Sequence, residues 1–228
     1  MRTDVVRAHR ALAAAGQADL VWGHVSVRDP DGRGAWMKAA GWGFEEVDDE
    51  RVVLVAADGE VVQGAGPRHL EFPIHTEVLR ARPDVQCVVH THSAAATAFA
   101  SLGVPVRAID HDGVLFAEPD VPRFTRTGAL ISTPELGAEL AGVLGGARAC
   151  LLARHGLVTA GPDVAHAVMY AVLLDRACRK QLDAMAAGGP ASWSSPAEAE
   201  AKRAECWPPS QIEAGWRYLN RLAEKGNR

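Results

Sequence analysis

The sequence predicts an α/β fold. Three observations carry that prediction: short β-branched runs alternate with longer segments of helical apolar spacing, strong turn signals fall between them, and the size suffices for a core. With 228 residues, 48% hydrophobic and 23% charged, the chain can bury a full core as one domain or as two small ones.

The elements follow in chain order. Residues 2–15 read as a helix, and Leu20 to Arg28 as an alternating strand that ends at the turn signal Asp29-Pro30-Asp31-Gly32. A hairpin should follow. Arg51 to Ala56 and Glu60 to Gln63 flank Asp58-Gly59, the grammar of a tight hairpin needing positive φ. A helix from His69 to Arg82 is stopped by Pro83-Asp84, and Val85 to His90 is the next strand. Ser93 to Leu102 reads as helix, with strands expected at Val104 to Ile109 and Gly128 to Ile131. Thr133 is placed to cap a helix beginning at Pro134. Ala147 to Ala160 forms a hairpin carrying His155, and Asp163 to Ala187 a long helix. Residues 188–200, rich in Gly, Pro, Ser and Ala, read as a linker to a C-terminal helix from Pro209 to Lys225. Trp207, Trp216 and Tyr218 either form an apolar packing stripe there or close an aromatic-lined pocket.

Composition excludes several functions. A net charge of -4 with both signs interspersed leaves no basic stripe for nucleic acid or anionic membranes. No apolar run reaches the ~18 residues of a membrane span, and MRTDVVRAHR has no signal-peptide core, so a cytoplasmic location is expected. Cys87, Cys150, Cys178 and Cys206 lack CxxC spacing and read as small buried residues. No nicotinamide or phosphate-loop fingerprint is present, so no organic cofactor is expected.

The chemistry concentrates in Val88-Val89-His90-Thr91-His92-Ser93. Residues i and i+2 of a strand project from one face, so His90 and His92 can reach one ion. His155 ends another apolar run, in Ala153-Arg154-His155-Gly156, and Glu71 supplies a carboxylate upstream. Three imidazoles and a carboxylate suit a divalent ion; ligand softness favours zinc, with manganese, cobalt and magnesium as alternatives.

Three separated motifs resemble one family. EFPIHTEVLRARPDVQCVVHTHS from Glu71 to Ser93, ACLLARHGL from Ala149 to Leu157 and GHVSVR from Gly23 to Arg28 are similar, in order, to the class II aldolase/adducin family, across most of residues 1–185. The resemblance implies a single three-layer α/β/α domain with a central, mostly antiparallel sheet. It would span residues 1–187, with 188–228 as linker and a helix packing on the same domain or a neighbouring subunit. It further implies a homotetramer with sites between subunits. His90, His92 and His155 match the family's metal-binding histidines, and Glu71 the carboxylate that ligates the metal or leaves it to act as acid/base. His75, one helical turn from Glu71, falls outside the metal pattern and is expected to support the site.

Substrate-binding residues depart from the sugar-phosphate branch of that family. Those enzymes carry an asparagine where this chain has His24, and small hydroxyl residues where it has His69 and Leu70; Ala40-Gly41 replaces Ser-Gly. Donors suited to phosphate are thereby lost, while His24, Arg68 and His69 add groups suited to a carboxylate. His24, Ser26 and Arg28 share one strand face as a site wall, and Gly41 is a further substrate-binding candidate. The GHVSVR form resembles a branch that includes aromatic decarboxylases, in which a histidine near His111 serves the site, and His111 is read as a second proton-transfer or orienting group. The leading expectation is a metal-dependent decarboxylase of a hydroxylated aromatic or 3-oxo carboxylic acid. An aldolase acting on a hydroxy-ketone bond and a non-catalytic adducin-like assembly module are the alternatives; the complete set of Glu71, His90, His92 and His155 argues against the last.

Overall fold

The computed structural model describes residues 1–226. One eight-stranded sheet divides two helical layers. The strands are β1 (His24–Arg28), β2 (Ala35–Lys38), β3 (Val52–Val55), β4 (Val61–Gln63), β5 (Cys87–Thr91), β6 (Arg123–Phe124), β7 (Ala149–Leu152) and β8 (Gly156–Gly161). Their order is β4-β3-β2-β1-β5-β8-β7-β6, antiparallel throughout except for the β6–β7 pair. The expected three-layer α/β/α architecture is thus the observed one.

The helices are α1 (Arg2–Ala14), α2 (Phe72–Ala81), α3 (Ala94–Ala100), α4 (Pro134–Leu144), α5 (Val164–Ala186), α6 (Pro196–Cys206) and α7 (Pro209–Gly226). Alternation along the central strands sorts the core between them. Val25, Val27, Cys87 and Val89 pack with α1, α3, α5 and α7 on one face. Val88, Cys150, Leu152 and Val158 pack with α2 and α4 on the other. His24 and His90, paired across β1 and β5, take the α2 side by the same parity. On the opposite face, Trp216 of α7 is buried in the core while Tyr218 is exposed, so the C-terminal aromatics do not line a pocket as a set.

Several expected elements differ, each for a local reason. The first strand begins at His24 rather than Leu20, because Leu20 and Gly23 adopt positive φ in a turn bridged by Asp19 and Trp22. No strand forms over 104–109: the amides of Val106 and Arg107 are met by Asp120 and Gln181 side chains instead of a neighbouring strand. Residues 128–131 are also not a strand, and the Ile131 amide donates to Glu71 at 2.8 Å. The two-residue β6 occupies the sheet edge in their place. Residues 188–200 are not linker throughout, for Ser195 caps α6 through the Glu198 amide and Pro196 opens the helix.

The α2–α4 contact positions Glu71, which immediately precedes α2. Gly137 permits it: a Cβ there would sit 2.6 Å from the Pro73 carbonyl oxygen and 2.9 Å from Cγ of Glu77. Gly137→Ala should therefore destabilise the fold by about 1–3 kcal/mol. Denaturant unfolding should show a lowered midpoint at unchanged slope.

Candidate metal centre

Four side chains from three parts of the fold converge at one end of the sheet. His90 is the penultimate residue of β5 and His92 follows the strand, while His155 occupies the β7–β8 turn, where Arg154 has φ +64. Gly156 allows the two strand ends to meet, since a Cβ there would lie 2.4 Å from the Thr91 carbonyl oxygen. Glu71 reaches in from the start of α2. Ligand atoms of Glu71, His90, His92 and His155 all lie within 4.8 Å of one another.

The hydrogen bonds behind the rings decide what the rings present. His90 Nδ1–H donates to the Leu157 carbonyl at 2.9 Å, and His92 Nδ1–H donates to Asp19 Oδ2 at 2.9 Å. Both neutral rings therefore turn unprotonated Nε2 atoms inward, and these stand 3.0 Å apart. Two lone pairs at that distance repel unless a cation lies between them. Burial, followed by the neighbouring His90, holds the His92 pKa below its ordinary value, which opposes protonation as the remedy. Glu71 stands 3.4 Å from His155 Nε2 and 3.7 Å from His90 Nε2. Burial alone would raise its pKa, but the His155 imidazole, the foremost of the opposing neighbours, keeps the carboxyl ionised, well below the usual carboxylate range. Three imidazole nitrogens and one carboxylate fit a divalent metal ion.

A cleft of about 280 Å³ opens beside this cluster, lined by Trp22, His24, Gly41, Arg68, His69 and Leu130 among others. His69 is 8% exposed, and burial, followed by Lys38, pushes its pKa down to about 3. Arg68 is the one cation of the lining; it donates to the Gly59 carbonyl at 2.6 Å and stacks on Phe72. Fully buried Lys38 donates to the carbonyls of Val21 and Trp42, each at 2.7 Å, tying together the two loops that border the cleft. Burial lowers the Lys38 pKa to about 8.

Three other expected site residues lie elsewhere. Ser26 shares the strand face of His24 but is fully buried, bonded to His75. Arg28 lies at the far end of β1, where its guanidinium donates to the carbonyls of Leu79, Arg82 and Val85. The shared face is as expected; the strand simply runs away from the cleft. His111 is exposed beside α5 and α6, between two aspartates held by Arg176 and Lys180, and its carbonyl accepts from Trp207. It does not join Glu71 within one chain. Sequence reasoning missed Asp19 and Lys38, which belong to no motif and come near the site only through folding.

A family described as Class II Aldolase and Adducin N-terminal domain matches residues 3–182. The chain belongs to this family. A 3,4-dihydroxyphthalate decarboxylase of Arthrobacter keyseri is 34% identical over 200 residues, covering 82% of this chain and 80% of its own. A 5-methylthioribulose-1-phosphate/5-deoxyribulose-1-phosphate aldolase of Rhodospirillum rubrum is 31% identical, covering 75% and 76%. Among solved structures, an L-fuculose 1-phosphate aldolase from Glaciozyma antarctica superposes with a TM-score of 0.86 at 28% identity, covering 98% and 88%. The class II family thus includes both decarboxylase-named and aldolase-named relatives of this chain. Class II aldolases are divalent-metal dependent, and the Glu71 and three-histidine cluster is the group in this chain suited to such an ion.

Asp19 orients His92 and raises its basicity as a ligand. Asp19→Asn should weaken divalent metal binding about 10- to 100-fold in a chelator-competition titration. His92→Ala should lose stoichiometric metal altogether, as read by elemental analysis after gel filtration.

Proposed function

We propose that the chain is a metal-dependent carbon–carbon lyase, a decarboxylase of a hydroxylated aromatic or 3-oxo carboxylic acid. The observation that carries this reading is the complete N3O donor set beside a cleft whose lining lacks hydroxyl side chains for a phosphate. Zinc is the ion the donors favour. When bound, such an ion acts as a Lewis acid toward an oxygen next to the breaking bond.

The chain's own residues supply the remainder. In this reading Arg68, a cation of the cleft lining, holds the substrate's anionic group through a forked pair of hydrogen bonds, which one guanidinium can give a planar carboxylate. Gly41 leaves room beside it, with open space where a Cβ would be. Trp22, Leu70 and Leu130 offer apolar walls suited to a ring. Glu71, ionised where it stands, accepts the proton of a substrate hydroxyl. As CO2 leaves, the electron pair of the broken bond remains on carbon, and Glu71 returns the proton there. The resulting phenolate regains its proton from solvent on release; a 3-oxo acid, which has no such hydroxyl, instead leaves an enolate whose carbon takes its one proton from solvent.

We further read the enzyme as a cytoplasmic homotetramer with sites between subunits. Trp22, Leu70 and Leu130 of the cleft lining are 53%, 63% and 51% exposed, an apolar rim that suits a neighbouring subunit. Any part that His111 has in proton transfer would then be across such an interface. No described helix is long and apolar enough to cross a membrane.

Glu71→Gln keeps the shape and removes the base, so turnover should fall about 100-fold or more. Metal-loaded protein should be offered aromatic hydroxy acids, 3-oxo acids and sugar phosphates, with CO2 and aldehyde release recorded separately. CO2 from an acid substrate supports the decarboxylase. Aldehyde from a ketose phosphate, with no response to aromatic acids, would promote the aldolase reading that the Rhodospirillum relative also suggests.

A further inference from the structure

The loop between α1 and β1 delivers Asp19 to His92 from a backbone that is not part of the sheet. It turns back on α1 and on itself, with Gln17 N–H donating to the Leu12 carbonyl and Trp22 N–H to that of Asp19, and Gly16, Leu20 and Gly23 adopt positive φ. The Asp19 carboxylate is 39% exposed, so water competes for it. Beyond Asp19, Lys38 grips the loop at the Val21 carbonyl. Before Asp19, Gln17 grips it from the opposite layer. Its buried side chain donates through Nε2 to the Ala171 carbonyl of α5 at 3.0 Å, and its Oε1 accepts from Thr91 Oγ1 at 2.9 Å. A backbone carbonyl can only accept, so the amide nitrogen must face Ala171 and the amide oxygen Thr91. Thr91 ends β5 between His90 and His92, and strand parity turns its side chain to the face of Cys87 and Val89, away from the metal cluster. Asp19 Oδ2 then meets His92 Nδ1 at 2.9 Å. Gln17 and Asp19, two residues apart, thus hold the consecutive residues Thr91 and His92.

We infer that Gln17 is a positioning residue for the metal centre: its amide, clamped between Ala171 and Thr91, sets the place of Asp19 and through it the orientation of His92 as a ligand. This rests on the reading of Glu71, His90, His92 and His155 as a metal site. A methionine at position 17 keeps the length of the side chain and offers neither hydrogen bond. The Thr91 hydroxyl then loses its buried acceptor, and the loop keeps its hold at Val21 but not the one that brings Asp19 to the ring. A valine at position 91 keeps the branched shape of threonine and breaks the same bond from the other side.

The test joins a zinc chelator-competition titration to the visible spectrum of the cobalt(II)-loaded protein, which reads ligand geometry. Gln17→Met and Thr91→Val should each weaken zinc binding about tenfold and alter the cobalt bands. The double variant should bind about as the weaker single variant does, because both changes remove one bond. Asp19→Asn, costly in the parent, should cost little more in the Gln17→Met protein. Thr91→Ser keeps the hydroxyl and should stay within about twofold of the parent. Zinc affinity and cobalt bands equal to the parent's, with only a lowered unfolding midpoint of the metal-free variants, would make Gln17 a folding residue and overturn the inference. Thr91→Val carries the test alone should Gln17→Met fail to fold. A parent that takes up neither ion overturns the metal centre itself, and the inference with it.

Discussion

The pairing of β5 with β1 on one side and β8 on the other is the constraint on which the site depends. In that register His24 lies opposite His90, and Leu157 presents its carbonyl to His90 Nδ1. A one-residue slip would turn His90 into the layer of α1, α3 and α5 and away from Glu71. The hydrophobic alternation of Cys87, Val88 and Val89 between two separate cores forbids that slip. Core packing therefore holds a polar cluster that would not assemble by its own attraction, since three neutral imidazoles gain little from one another.

The polar atoms behind the rings complete what the sheet begins. Asp19, the Leu157 carbonyl and the Ile131 amide meet the outward edges of His92, His90 and Glu71, leaving the inward edges as acceptors. These three groups thus present negative or lone-pair character to one small volume beside His155, the arrangement a divalent cation answers. A few ångströms away, His24 and His75 instead bond to one another, with Ser26 behind His75. Neighbouring imidazoles take different parts according to what stands behind each ring.

Much of this was legible along the chain. His90 and His92 announced themselves by strand parity, and the helix stop at Pro83-Asp84 separated α2 from β5 in the sequence alone. Thr133 capping α4 and Asp58-Gly59 turning β3 into β4 also read directly, because caps and tight turns depend on a few adjacent residues. The expected strands at 104–109 and 128–131 did not, since β-branched residues favour extended backbone without supplying a partner. Asp120, Gln181 and Glu71 satisfied those amides from afar. Residues 188–200 misled through composition: Ser and Pro mark linkers and helix starts alike.

The sequence by itself determined the α/β class, the ligand types and, through motif resemblance, the family, because periodicity and short spacings are local properties. Only the tertiary structure decided that Arg28 faces away from the cleft while His24 borders it, for a strand's direction relative to a site is set by its pairing. Only it could bring Asp19 to His92 across 73 residues, or bury Lys38 against the Val21 and Trp42 carbonyls. Nor could spacing bring His75 between His24 and Ser26, a contact made only because α2 packs on the face of β1 that carries both.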